Sequence, residues 1–230
     1  MRLPEDPEWT AYRARFAAEY DEMNYQKGLQ HRVMRAGHRF LEKTLPSGRH
    51  YARVLEVGAG TGEHAPFVQH SFDTYTVTDL APQALVVARR KAERAGLPGL
   101  SFVAQNAARP AQAEASVDRL IAAHVLEHLE RPHEVIKTWR DTLRPGGVLS
   151  VLLPTDPGLA WRLGRCLGPR RQAEKKGLPY DYIMAREHIN ACYHLLGLLR
   201  HYFPDSRTAW WPLGLPSTDL NLFVAIHAER

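Results

Sequence analysis

The sequence has little cysteine. Cys166 and Cys192 are the two in 230 residues, 26 positions apart. That spacing suits neither a zinc site nor a disulfide framework, so a reducing compartment is expected. No run of 18 apolar residues occurs, which excludes a membrane-spanning helix. The opening Met1-Arg2-Leu3-Pro4-Glu5-Asp6 lacks the apolar stretch of a secretory signal, so a cytoplasmic location is expected. A large charge excess is also missing: 30 basic side chains face 25 acidic ones, for a net +5. Between Trp161 and Lys176, six basic residues (Arg162, Arg165, Arg170, Arg171, Lys175, Lys176) oppose Glu174 alone. This local excess equals the net charge of the whole chain, so the rest is balanced. A uniform basic coat is absent and no nucleic-acid partner is expected.

What is present is the composition of a folded domain, 44% hydrophobic and 24% charged. Its length predicts a single domain with a full core. Trp9, Tyr12, Phe16 and Tyr20, then Leu29, Val33, Phe40 and Leu41, keep helical spacing over 8–45. The rhythm then alternates. Short β-branched runs at 53–57, 75–79, 100–104, 117–122 and 148–153 predict strands. Helical patterns over 82–96 and 132–143 lie between them, which implies right-handed parallel βαβ units. Residues 156–186 break the pattern, and helix is expected again over 188–202. Runs at 207–211 and 220–226 with no helix between them predict a hairpin of antiparallel edge strands.

Three glycines follow the first strand directly, as Glu56-Val57-Gly58-Ala59-Gly60-Thr61-Gly62. Such a turn lets backbone approach a ligand closely. No Gly-Lys-Ser/Thr follows, which excludes a phosphate-binding P-loop, and Glu63 stands where a dinucleotide fingerprint needs a third small residue. With Val77-Thr78-Asp79-Leu80, Val117-Asp118-Arg119-Leu120, Val125-Leu126-Glu127-His128-Leu129 and Leu143-Arg144-Pro145-Gly146-Gly147, the chain resembles the class I S-adenosylmethionine-dependent methyltransferases over about residues 50–155 and the terminal hairpin. The resemblance implies a Rossmann-like α/β fold: a mostly parallel seven-stranded sheet with a C-terminal antiparallel hairpin and helices on both faces. The expected organisation is one domain: a helical lid (1–48), a cofactor core (50–155), a substrate-side insertion and helix (156–205) and the hairpin (206–230).

The resemblance also implies roles. Gly58, Gly60, Thr61 and Gly62 would cradle the methionine half of S-adenosylmethionine, with S-adenosylhomocysteine as product. Glu56 would hold the loop and help seat the ammonium group. Asp79 would accept from the ribose hydroxyls, for which a carboxylate has the lone pairs; a helix cap before Pro82 is its other reading. Leu80 would pack on adenine, and Asn106-Ala107 would meet its edge, Asn106 standing where many relatives carry Asp. Tyr20 would cover the cofactor, and the His124 backbone would lie near the sulfonium.

Methyl transfer needs alignment, and a base only where the acceptor must lose a proton. His124, Glu127 and His128 share one face of a turn, and histidine ordinarily titrates near neutrality. His124, His128 and His188 are therefore the catalytic candidates, each weighed against a packing role. A His124/Glu127/His128 metal site resembles that of ubiquinone-pathway O-methyltransferases, but His124 replaces a Glu there, and no metal is expected. Tyr12 reads as helix packing, and Tyr182 and His188 as pocket residues. The basic run 162–176 leaves three readings: a solvated face, a site for an anionic acceptor, and contact with an acidic membrane surface through 161–176. The expected activity is methylation of an oxygen or nitrogen on a small acceptor, anionic or sugar-linked. The competing readings are an RNA or protein methyltransferase and, further off, an NAD-dependent oxidoreductase.

Overall fold

The structure is a computed structural model, and it describes residues 6–12, 15 and 29–230. Seven strands form one sheet: β1 (His50–Glu56), β2 (Ser71–Asp79), β3 (Leu100–Ala104), β4 (Val117–Ala123), β5 (Leu143–Pro154), β6 (Arg207–Trp211) and β7 (Phe223–Glu229). Their order is β3-β2-β1-β4-β5-β7-β6. Strands β1 to β5 run parallel, and β7 is antiparallel to both β5 and β6. The expected antiparallel hairpin is therefore present at this end of the sheet. Its second strand is inserted beside β5, and its first runs parallel to the rest. Strand order reverses between β1 and β4, where open α/β sheets form their ligand crevice.

Alternation along the strands sorts the core. Leu120, Leu149, Val151, Val224 and Ile226 point to one face, under helices Pro132–Thr142 and Cys192–Tyr202. Ile121, Val148, Leu152, Phe223 and Ala225 point to the other, under helices Leu29–Lys43 and Pro82–Arg94. A side-chain period of two allows each central strand to feed both layers.

Between β1 and β2 there is a short 3-10 turn, Ala65–Phe67. One helix differs from expectation. The helix expected over 188–202 begins at Cys192. The reason lies in Asn190, whose side-chain amide donates to the Leu126 and Leu129 carbonyls at 2.9 and 2.7 Å. That tie takes 188–191 out of helical geometry. The insertion folds as three short helices, Leu159–Leu167, Pro169–Lys175 and Tyr180–Glu187. Ala173, Leu178, Tyr180, Ile183 and Met184 give it a small core of its own, on which Trp9 and Tyr12 pack. No helix among the described residues is long and apolar enough to cross a membrane.

Candidate functional site

The glycine loop leaves β1 at the strand-order reversal. Gly58, Gly60 and Gly62 have φ of +62°, +54° and +77°, a region closed to most side chains. Their reasons differ. A Cβ on Gly58 would lie 2.7 Å from Val125 Cγ2, and one on Gly62 would lie 2.9 Å from Ala88 Cβ. A Cβ on Gly60 would meet nothing within 4 Å. Packing explains the outer two glycines, and the middle one faces open space.

Asp79 ends β2 beside this loop. Its Oδ2 accepts the Gly60 N–H and its Oδ1 the Ala81 N–H, both at 2.8 Å. The helix at Pro82 takes Ala81 as its N-cap without a side-chain bond, so Asp79 shapes the turn ahead of the helix. Each carboxylate oxygen keeps a further lone pair for a ligand hydroxyl. Leu80 follows and is 68% exposed. Asn106 is exposed and accepts the Ala108 N–H at 2.9 Å, and the Ala107 carbonyl accepts from Trp139 Nε1 at 2.7 Å. The Thr61 hydroxyl is held by Lys91 at 2.9 Å. Glu56 is buried, and burial pushes its carboxyl above the ordinary range. Its side-chain partner is the Tyr75 hydroxyl at 2.5 Å. Tyr20 lies outside the described residues.

A second group lies over the ends of β4 and β5. His124, just past β4, has φ +60°, and its Nδ1 is 3.5 Å from Glu127 Oε1. Burial pushes the Glu127 carboxyl up, but His124 and His128 outweigh it and hold it below its ordinary range. The His128 ring stands edge-on to that of His188 at 4.9 Å, and its Nδ1 meets the Glu187 carbonyl at 2.8 Å. His188 Nδ1 meets Asp156 Oδ2 at 2.9 Å. Asp156 in turn accepts from Arg165 Nη1 at 3.2 Å. The three histidines named from the sequence are brought together here; Asp156 is not named from it, and Arg165 is named only within the basic run. Burial of Asp156 has no local signature, and Arg165 looked like one member of a basic run. Among the described residues no group of three or more His, Cys, Asp or Glu is arranged to hold a metal ion.

Tyr182 does not join this group. Its hydroxyl donates to Asp6 at 3.1 Å and accepts from Arg186 at 2.8 Å, so it clamps the N-terminal segment. Tyr12 packs there too, as expected. Arg170 pairs with Glu174 and Asp181 at 2.8 Å. Burial pushes the Cys192 thiol up to about 12, too high for a nucleophile at neutral pH.

Residues 55–151 match the family model described as a methyltransferase domain. Over that segment, which runs from β1 to β5 and holds the glycine loop, the chain is similar to S-adenosylmethionine-dependent methyltransferase domains. Trans-aconitate 2-methyltransferase of Deinococcus radiodurans is 33% identical over 119 residues, 51% of this chain and 43% of that protein. The tRNA 5-carboxymethoxyuridine methyltransferase of Escherichia coli is 33% identical over 111 residues, 46% of this chain and 42% of that protein. The chain thus matches less than half the length of either relative. The crystal structure of the N-methyltransferase NodS from Bradyrhizobium japonicum, in complex with S-adenosylhomocysteine, superposes with a TM-score of 0.63 at 18% identity. That likeness covers 97% of this chain and 99% of NodS, and it concerns the fold. S-adenosylmethionine is the cofactor of the family, and the residues present fit it. The open space over Gly60 leaves room for it, and the lone pairs left on Asp79 suit its ribose hydroxyls.

Proposed function

We propose that the chain transfers a methyl group from S-adenosylmethionine to an oxygen or nitrogen of a small, anionic acceptor. The carrying observation is the bond from Gly60 N–H to Asp79 Oδ2, 2.8 Å long, beside a glycine whose missing side chain opens onto empty space. In this reading Gly58 to Gly62 seat the amino-acid end of the cofactor, Asp79 takes the ribose and Leu80 covers the adenine beside Asn106 and Ala107. The cofactor supplies a methyl group already activated on sulfonium. The protein aligns the acceptor with it, excludes water and removes a proton.

His188 is the proton acceptor in this reading. Its Nδ1–H donates to Asp156, which leaves Nε2 with a free lone pair. His128 steadies the ring from one side. His124 lines the space between cofactor and acceptor. The names of the two relatives support an anionic acceptor, since trans-aconitate and 5-carboxymethoxyuridine both bear carboxylates. The tRNA relative also favours a second reading, an RNA substrate. Against it stands the basic run, where Arg170 is paired with Glu174 and Asp181 and Arg165 turns inward to Asp156 rather than out along the surface.

Calorimetry with S-adenosylhomocysteine and with NAD tests the cofactor assignment. Binding of the first and not the second is expected. Asp79→Ala is expected to weaken it by about 1.5–3 kcal/mol, the worth of hydrogen bonds to a charged acceptor. Equal affinity in that variant would remove the ribose role. Labelled-methyl transfer onto small carboxylates and onto bulk tRNA separates the two acceptor classes. His188→Ala is expected to lower turnover by about 10²-fold with cofactor affinity intact; unchanged turnover would return His188 to a packing role.

A further inference from the structure

Three buried donors near this site have no acceptor. They are Arg165 Nε, Arg165 Nη2 and Trp161 Nε1. Arg165 and Trp161 stand four apart on helix Leu159–Leu167, so they share one face, a single turn apart. Arg165 spends Nη1 on Asp156. Its remaining nitrogens form the side-on edge of the guanidinium, whose two N–H bonds run parallel. That edge matches both oxygens of a carboxylate or phosphate. Tyr180 lies nearby, its ring centroid 5.8 Å from the guanidinium carbon, and its hydroxyl interacts with Arg165, which opposes the upward push of burial on that phenol; no acceptor meets Nε or Nη2 at full hydrogen-bonding geometry.

Two lines of contact locate this edge. Trp161 packs on Phe223 at 5.6 Å, and Phe223 on His124 at 5.4 Å. From Arg165 the other line runs through Asp156 to His188 and His128. It ends at Glu127, 3.5 Å from His124. Both lines leave one helix face and close on the same histidine. Glu127 Oε2 and His124 Nε2 are buried there without partners as well. Leaving such groups unpaired is costly, and a cluster of them points to a polar ligand. The helix that carries the donors fully buries none of its residues. Its first turn is tied at one place, where Leu159 N–H and Ala160 N–H donate to Asp219 at 3.0 and 2.9 Å.

We infer that Arg165 and Trp161 form an anion-recognition subsite, which grips a carboxylate or phosphate of the methyl acceptor and holds the reacting atom next to His188. The subsite deepens the proposed function and rests on its placement of the acceptor over β4 and β5. Arg165 is the specificity determinant, and Trp161 adds one donor.

The test is calorimetry of the purified chain, alone and saturated with S-adenosylhomocysteine. The probes are glutarate, tricarballylate and inorganic phosphate, with neutral glutaramide as control. At least one anion is expected to bind and the amide is not; the preferred anion tells carboxylate from phosphate. Arg165→Gln is expected to weaken that anion about tenfold or more, the loss of a charged bidentate pair. Arg165→Lys keeps the charge without the fork and is expected to recover only part of the affinity. Trp161→Phe keeps the packing on Phe223 and is expected to cost about fivefold. It decides the matter should the arginine variants fail to fold. S-adenosylhomocysteine affinity is expected to stay within about twofold throughout, because the two sites share no partner. Absence of anion binding by the wild type overturns the subsite, as does wild-type affinity in the folded variants. Failure of S-adenosylhomocysteine to bind would overturn the cofactor reading instead, with anion binding still measurable on the chain alone.

Discussion

Two arginines sit in the interior of this domain, and they are satisfied very differently. Arg119, in the middle of β4, is fully buried. Its Nη1 and Nη2 both donate to Glu42, at 3.1 and 2.6 Å, and its Nε donates to Ser150 at 3.0 Å. The network continues outward. Ser150 meets His227 Nδ1 at 3.0 Å, and His227 Nε2 meets the Leu41 carbonyl at 3.1 Å. On the other side His64 bridges Glu42, at 3.0 Å, to His38, at 3.3 Å. Arg165 has one nitrogen bonded and two without an acceptor. A guanidinium with every side occupied within the fold fastens helix Leu29–Lys43 to the sheet. One with an idle edge is built for something that arrives later.

Arg119→Met breaks the first arrangement with the largest expected effect. It leaves the Glu42 carboxylate buried and half-stripped of partners. His64 alone cannot replace the two Arg119 bonds, which help hold the Glu42 carboxyl well below its ordinary range against the upward push of burial. A loss of about 3–5 kcal/mol is expected in denaturant unfolding. Replacing both members, Arg119→Met with Glu42→Leu, is expected to recover most of that loss, because no charge then remains unpaired. A single variant as stable as the wild type would show that the pair contributes nothing to the fold.

Acid probes the same network more gently. Burial is the main force that pushes His227 down to about 4, with Arg119 adding to it. His38 is lowered too, by burial first and then by His64. The unfolded chain takes these protons as pH falls through about 6.5, while the folded chain resists until about 4 for His227. The folded state therefore binds fewer protons in that window, and stability falls as pH falls. For His227 the whole window is worth up to about 3 kcal/mol. Glu42 carries the same sign in a lower window. Its contribution is present above the unfolded carboxyl value and is lost only as pH falls towards its depressed folded value. Unfolding curves between pH 7 and 5 are expected to lose about 2 kcal/mol through His227 and a further amount through His38, and His227→Gln is expected to remove the first part. A flat profile would mean that these rings are solvated in solution.

The contrast also explains what could be read from the chain alone. The glycine loop and Asp79 were legible because their chemistry is contiguous: strand, turn and carboxylate all fall between residues 50 and 79, and positive φ demands glycine. The strands were legible from their period. Arg119 was legible as part of a strand but not as a buried charge, since its partner Glu42 is 77 residues away on a helix whose pattern looks ordinary. Arg165 was hidden by its neighbours. In a run of six basic residues nothing local marks the one that turns inward, and the turn is fixed by Asp156 beyond the end of β5. His188 was found by type, but its orientation depends on Asn190, which ends the expected helix early.

The smallest expected effect is the sharpest test of the comparison. Arg165→Met removes a cation from a side chain that is 17% exposed, and Asp156 keeps its bond to His188. The two idle donors vanish with it, so their burial penalty is relieved while one modest ion pair is lost. The two terms oppose one another, and stability is expected to stay within about 1 kcal/mol of the wild type, against the several lost at Arg119. Denaturant unfolding of the two Met variants side by side checks this. Equal large losses would mean that Arg165 is as structural as Arg119 and that its idle edge has a partner within the fold. Near-neutrality at 165 alone is what a residue reserved for a ligand predicts, since its interactions are completed only when that ligand binds.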